Sequence, residues 1–357
     1  MLIRHHFTCV LVVSVVIIFY LGVQWTARSY VRHSTKRHGD ILQFSKEEKV
    51  LTLDLKRESR RSCIYPAHAP SDVPCRQNDL LEKRRILNET LNWLDLEKTL
   101  NASRTLAPGG YHRPVGCASP QRLAIIIPYR DREANLKILL NNLHRVLQKQ
   151  QAEYAIFVVE QESGTPFNRG LIKNIGFIEA KALCHFDCFT FHDVDMVTES
   201  ERNTYWCGKV AVHHARRLDT WNYRVLYTFL FGGVLTFNET YFSILNGYSN
   251  LYFMWGAEDD DLFNRMRKKQ LKFKPSRYPR YTALKHEREP KHYKEKMKIY
   301  ANNSQRMDTD GLNSMGRLYQ VISVDYKPLF TRIYVSVNQT EIYTQLKHYG
   351  ISLVNPK

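Results

Sequence analysis

Between residues 123 and 191 the chain repeats a pattern that few folds accommodate: short apolar runs separated by longer segments of helical period. Leu123 to Ile127 is continuously apolar, too short for a helix and closed by Pro128, and predicts a buried strand. From Arg132 to Gln148, Leu136, Leu139, Leu140, Leu143, Val146 and Leu147 fall at helical spacing. Tyr154 to Val159 predicts a second strand, Asn168 to Leu183 a second helix and Cys188 to Phe191 a third strand. This alternation implies an α/β fold, a parallel sheet with crossover helices. Ligands of such sheets sit at the carboxyl ends of the strands. Pro128-Tyr129-Arg130 and Asp193-Val194-Asp195 fall at those ends. No G-x-G-x-x-G follows the first strand, which argues against an ordinary dinucleotide site.

The chain has 357 residues and is 43% hydrophobic, enough to bury a core, which excludes wholesale disorder. Glycine numbers only 16 and no fixed-period repeat occurs, which excludes collagen and solenoids. A formal net charge of +17 suits polyanionic partners: phosphorylated substrates, anionic lipid or nucleic acid. That charge is spread along the chain and accompanies no nucleic-acid motif, so no nucleic-acid partner is expected.

Phe7 to Val23 is an apolar run of 17 residues. At about 1.5 Å per residue it just crosses a thin bilayer. Trp25-Thr26-Ala27 is a poor cleavage site, so an uncleaved signal anchor over 7–25 is expected, preceded by a tail of residues 1–6. Arg28, Arg32, Lys36 and Arg37 beyond the run would by themselves keep the body cytoplasmic. Five N-glycosylation sequons, at Asn88, Asn101, Asn238, Asn302 and Asn338, point to a lumen instead. So do the six cysteines beyond the anchor, at 63, 75, 117, 184, 188 and 207. Sequons and cysteines together outweigh four charges, and a type II, lumenal topology is expected.

Residues 26–74 read as a basic, polar stem that ends in an extended stretch with Pro66, Pro70 and Pro74. A 75–116 extension follows, then a domain over 117–345 and a tail over 346–357. Within the extension, Leu80, Leu81, Leu87, Leu91, Leu94 and Leu100 allow some helix between Asp79 and Leu100.

Three clusters carry chemistry. Asp193-x-Asp195 follows a strand, and alternate residues of a strand share a face, so both carboxylates can converge unless the chain turns there. Converging carboxylates suit Mg²⁺ or Mn²⁺ bound to a diphosphate; a surface capping pair is the bland alternative. Glu258-Asp259-Asp260-Asp261 fits a solvated helix start, where acids favour the dipole. Yet Tyr252, Phe253, Trp255 and Phe263 flank it, and aromatic faces with carboxylates bind sugars. A carboxylate there can also deprotonate an attacking hydroxyl. His286 is either structural or, with Asp195, part of a mixed oxygen and nitrogen site for Mn²⁺.

Pro128-Tyr129-Arg130-Asp131-Arg132, Phe167-Asn168-Arg169, Asp193-Val194-Asp195, Phe231-Gly232-Gly233, Trp255-Gly256-Ala257-Glu258-Asp259-Asp260-Asp261 and Asp310-Gly311-Leu312-Asn313-Ser314 occur in that order. Over roughly residues 75–335 this resembles the animal β-1,4-galactosyltransferase family, including its N-acetylgalactosaminyltransferase members. The resemblance implies a GT-A fold, an inverting Mn²⁺-dependent mechanism and type II anchoring in the Golgi membrane. It implies that Pro128, Arg130 and Arg132 line the uridine-diphosphate site, with Phe167 and Arg169 beside them. Asp195 and His286 would be metal ligands, Asp193 a donor contact and Trp255 part of a mobile loop over the donor. Asp259 would be the general base, and Glu258 and Asp260 would hold acceptor hydroxyls. It also implies disulfides Cys75–Cys117 and Cys188–Cys207, leaving Cys63 and Cys184 as a further candidate pair.

Three departures accompany the resemblance. Many members carry Met three residues before the metal histidine; Ala283 stands here and cannot ligate. The usually glycine-rich tryptophan loop has Met254 and Ala257, which implies a stiffer hinge. The acceptor-side lid, about 287–308, is basic and poorly matched. In the family, the residue just before Phe-Gly-Gly faces the donor sugar's 2-substituent: Tyr accompanies galactose, and Leu or Ile accompanies N-acetylgalactosamine. Here it is Leu230, unless that residue merely packs in the core. The expected activity is transfer of N-acetylgalactosamine from a UDP-sugar, in β-1,4 linkage, to terminal N-acetylglucosamine. The alternatives are galactose transfer to the same acceptor and a lectin-like protein without turnover.

Overall fold

The computed structural model describes residues 63, 65, 73–77, 79–102, 104–287 and 293–351. The expected tail and anchor over 1–25, most of the stem and residues 352–357 lie outside the described residues. Among the described residues no helix is long and apolar enough to cross a membrane.

The strands and helices follow the sequence alternation, with boundaries shifted by a residue or two. They are strand Arg122–Tyr129, helix Glu133–Lys149, strand Glu153–Gln161, helix Arg169–Leu183 and strand Cys188–His192. The first strand does not stop at Pro128, which stays in register opposite Val159. Asn168 is not helical; its side chain caps the helix by accepting from the Leu171 N–H at 3.0 Å. Arg122–Tyr129 lies between Glu153–Gln161 and Cys188–His192 and is parallel to both. Its continuous apolar run serves two cores, because successive side chains face opposite sides. Ala124 and Ile126 pack with Ile172 and Ile175 of one helix. Leu123, Ile125 and Ile127 pack with Leu136, Leu139 and Leu143 of the other. Gly176 lets its helix approach closely: a Cβ there would stand 2.4 Å from Ile126 Cγ2.

The ten-stranded sheet adds antiparallel strands around its parallel centre. Val234–Asn238 pairs antiparallel with Cys188–His192, and Thr331–Val337 adds parallel to Glu153–Gln161. A second, three-stranded sheet joins Met196–Thr198, Arg280–Ala283 and Arg217–Leu218. It matters for the site because it lays the segment before His286 beside Asp195. Leu284 N–H donates to the Asp195 carbonyl at 2.8 Å.

Among the described residues of the extension only Trp93–Leu100 is helical, capped by Asn92. Residues 79–92 form no helix, with Arg84 N–H donating to the Glu199 carbonyl and Glu201 N–H to that of Leu81. The helix that the leucine spacing allows is thus confined to Trp93–Leu100, where Leu96 and Leu100 are buried. Three disulfides bind the described chain: Cys75–Cys117, Cys188–Cys207 and Cys63–Cys184.

Candidate active site

A cleft of about 700 Å³ opens at the carboxyl ends of the central strands. Pro128, Arg130, Arg132 and Phe167, expected from the sequence to bind the donor, all line it. Arg130 donates to the Thr165 carbonyl at 2.6 Å, with its guanidinium 5.1 Å from the centre of the Phe167 ring. Arg132 donates to the Glu287 carbonyl at 2.7 Å, so the strand end is tied to the segment after His286.

The chain turns inside Asp193-Val194-Asp195, with Met196 N–H donating back to the Asp193 carbonyl. The two carboxylates therefore do not converge on one point, contrary to the strand-face expectation. Asp193 Oδ2 lies 3.4 Å from Arg169 Nη1 and its Oδ1 lies 3.2 Å from Lys173 Nζ. Burial alone would raise the Asp193 pKa, but Lys173 and Arg169 outweigh it and hold the group below its ordinary value. Asp195 faces the other way, its Oδ2 2.8 Å from His286 Nε2. That hydrogen bond, against some desolvation, raises the His286 pKa.

A site for Mn²⁺ is tested by this pair. Among the described residues no three His, Cys, Asp or Glu side chains gather to hold a metal. Ala283 offers nothing, and its N–H is spent on Asp219 Oδ1 at 2.9 Å. Yet His286 Nδ1 donates to the Glu287 carbonyl at 2.6 Å, which orients the ring and leaves Nε2 toward Asp195. One imidazole and one carboxylate facing each other on the cleft fit Mn²⁺, with diphosphate and water for the remaining positions.

The acidic run opens the helix Glu258–Lys268, and it is not a solvated helix start. Asp261 is fully buried in a network with Arg265, Arg306 and Asp310. Tyr252 OH donates to Asp261 Oδ2 at 2.8 Å, and Asn250 N–H donates to Asp310 Oδ1 at 2.8 Å. This buried lattice fixes the first turn of the helix. Glu258 departs from its expected role on acceptor hydroxyls. It is 1% exposed, forms no part of the cleft wall and ion-pairs with Arg169. The helix register turns it inward, whereas Asp259 and Asp260 face the cleft. Asp259 Oδ2 lies 3.6 Å from Arg169 and its Oδ1 3.6 Å from Lys173. Burial, opposed by Lys173 and reinforced by Glu258, pushes the Asp259 pKa up to about 7. Burial and the charges of Glu258 and Asp261 push Asp260 up to about 6.

Leu230 is 7% exposed but belongs to neither core cluster; it lines the cleft beside Gly232 and Gly233. Trp255 is half-exposed at the mouth, and Lys296 donates to its carbonyl. Met254 and Ala257 hold positive φ, 63° and 75°. Left-handed backbone costs a non-glycine residue roughly 1–2 kcal/mol, so both residues hold this loop conformation against a local strain that glycine would not incur.

Lys173 was not singled out by the sequence reading. Its signal was there: it stands four residues after Arg169 on an otherwise apolar helix face, so the two cations point the same way. Of the sequons, Asn88 and Asn338 are exposed and Asn101, Asn238 and Asn302 partly so.

Known proteins resemble this chain over most of its length. Residues 75–208 match the family model described as the N-terminal region of glycosyl transferase group 7. Residues 212–287 match the model described as the N-terminal domain of galactosyltransferase. Beta-1,4-galactosyltransferase 2 of Homo sapiens is 37% identical over 71% of this chain and 69% of its own length. Beta-1,4-galactosyltransferase 4 of Cricetulus griseus is 39% identical over 68% of this chain and 71% of its own. Among solved structures, the catalytic domain of Drosophila beta1,4galactosyltransferase 7 in complex with xylobiose aligns with a TM-score of 0.53 and 22% identity. That match covers 61% of this chain and 94% of the other and carries the fold, GT-A.

Proposed function

We propose, since this chain belongs to the animal β-1,4-galactosyltransferase family and is a hexosyltransferase, that it moves N-acetylgalactosamine from UDP-N-acetylgalactosamine to terminal N-acetylglucosamine in β-1,4 linkage. The observation that carries the donor choice is Leu230, an aliphatic side chain that lines the same cleft as Asp259. A phenol at that place would crowd an N-acetyl group, whereas Leu leaves apolar room for its methyl. A fit of this size is worth about 1–3 kcal/mol, or roughly 10- to 200-fold in preference.

The reaction is one in-line displacement with inversion. Asp259 takes the acceptor proton, for which a pKa of about 7 is well matched near neutral pH. Asp260 accepts hydrogen bonds from acceptor hydroxyls, while Glu258 serves from beneath by holding Arg169. Pro128, Arg130, Arg132 and Phe167 bind the uridine diphosphate, and Trp255 covers it from the loop. Asp195 and His286 would hold Mn²⁺, which when bound supplies charge neutralisation for the departing diphosphate. A solved relative was crystallised with manganese, UDP-Gal and xylobiose, which supports this set of ligands. Positioning both substrates contributes much of the remaining acceleration.

The same proposal places the domain in the Golgi lumen behind a type II anchor. Three disulfides support an oxidising compartment. Galactose transfer is the second reading, favoured by the names of the relatives. Incubating the lumenal region with Mn²⁺, an N-acetylglucosaminide and equal amounts of both UDP-sugars separates the two. The proposal expects the N-acetylgalactosaminyl product to dominate, and a clear excess of galactosyl product overturns it.

A further inference from the structure

Lys173 is a buried cation that the reaction as described leaves unused. It sits on the second turn of the helix Arg169–Leu183 and its side chain is 1% exposed. It forms no part of the cleft wall, so it reaches no substrate. Its ammonium lies 3.2 Å from Asp193 Oδ1 and 3.6 Å from Asp259 Oδ1, and 4.9 Å from the centre of the Tyr248 ring. Neither of those two carboxylate oxygens accepts a well-formed hydrogen bond. Lys173 thus spans two acids on separate elements, one just past a central strand and one in the first turn of the acidic helix.

Burying a lone ammonium costs several kcal/mol, so a lysine persists here only if its partners stay charged and close. The helix is pressed into place: a Cβ at Gly170 would stand 2.6 Å from the Ser249 carbonyl and 3.7 Å from Glu258 Cβ. One turn on, Asn174 donates to the Tyr248 carbonyl and to Asn250 Oδ1, both at 2.8 Å. Lys173 therefore has little freedom to leave. Asp259 is faced by Lys173 and Arg169 from this helix, by Asp193 from the strand end, and by Glu258 and Asp260 from its own. Tyr227 and Tyr248 complete the ring of titratable groups, their hydroxyl pKa values raised by burial and by these acids, against Lys173 in the case of Tyr248. Two cations thus stand against Asp193, Glu258 and Asp259; without Lys173, a single arginine would serve three carboxylates.

We propose that Lys173 is a positioning residue of the transfer reaction: from beneath the cleft it fixes the acid that accepts the acceptor proton against the acid on the donor side. The proposal rests on the reading of Asp259 as the base. Burial works against the lysine's charge, yet Asp193 and Asp259 more than compensate, so it stays protonated and supplies a fixed positive charge. That charge favours the ionised, proton-accepting form of Asp259 and holds it in place.

The test compares Lys173→Met, Lys173→Gln and Lys173→Arg with wild type in the otherwise intact lumenal chain. Two readouts are taken: kcat and KM against pH, and the Asp259 carboxylate titration by infrared difference against Asp259→Asn. Both neutral variants should lose at least tenfold in kcat at pH 7, with donor KM within about twofold of wild type. Both should move the acid limb and the infrared midpoint upward by about one pH unit, a tenfold change in the protonation equilibrium. Lys173→Arg should keep the midpoint. Either neutral variant suffices if the other does not fold. Neutral variants that lose kcat without moving the midpoint, or that raise donor KM alone, overturn the proposal. If wild type transfers no sugar from any UDP donor yet the midpoint still moves, the proposed function fails and the link between Lys173 and Asp259 stands.

Discussion

Gly232 and Asp259 share one space: a Cβ at 232 would stand 2.7 Å from Asp259 Oδ2 and 3.3 Å from its carboxyl carbon. The glycine of the Phe-Gly-Gly segment is therefore a spatial requirement of the acid opposite. Gly232→Ala is expected to displace the Asp259 carboxylate and lower kcat by at least tenfold while UDP affinity stays within a few fold. Steady-state kinetics with a parallel UDP titration check this, and wild-type kcat would remove the spatial argument.

Asp259 gives opposite signs for activity and stability. Its protonated form cannot accept a proton, so kcat/KM should rise with pH through about 7. The folded chain holds that proton more tightly than the unfolded chain does. The resulting stabilisation is full below the ordinary value of 3.8 and is lost as pH rises through about 7. Asp259→Asn should thus abolish most turnover, bind donor nearly normally and melt above wild type at pH 8, the difference vanishing below pH 4. Wild-type turnover in Asp259→Asn would falsify its assignment as base.

Among the described residues only Asp195 and His286 stand ready for a metal, so binding should be weak. His286→Ala is expected to raise the Mn²⁺ concentration for half-maximal activity by an order of magnitude or more. Full wild-type activity in excess chelator contradicts this.

Leu230→Tyr should shift the donor ratio toward galactose, by about 10- to 200-fold if the N-acetyl group packs against this side chain. Competition of the two UDP-sugars in one tube reads the ratio directly. An unchanged ratio assigns Leu230 to packing alone.

Asp310 accepts from Asn250 N–H, Ser249 Oγ at 2.6 Å and Arg265 Nη2 at 3.1 Å, and it also pairs with Arg306. Asp310→Asn leaves buried guanidinium charge uncompensated, which should destabilise the domain by about 3–5 kcal/mol. Denaturant unfolding measures the loss. A change below 1 kcal/mol would mean that the network relaxes around the neutral side chain.

Much of this molecule was legible in its residues taken in order. Apolar runs of strand length and leucines at helical spacing are local signals, and they located the three parallel strands and two crossover helices within about two residues. Position at strand ends singled out Pro128, Arg130, Asp193 and Asp195, and the family resemblance marked Asp259 and His286, all of which line one cleft. What periodicity could not supply was direction. Asp193 and Asp195 part company because the chain turns between them, and the turn is set by the pairing of Met196–Thr198 with Arg280–Ala283, a segment some 85 residues away. Glu258 and Asp259 are neighbours, yet one is buried against Arg169 and the other faces the cleft, because the register of their helix is fixed by Asp261 in a buried network. Lys173, which the sequence did not single out, acquires its partners only when the fold brings Asp193 and Asp259 to it. Sequence determined which groups were available; long-range packing decided which of them face one another, since a charge in a core is tolerated only where distant chain supplies its counterpart.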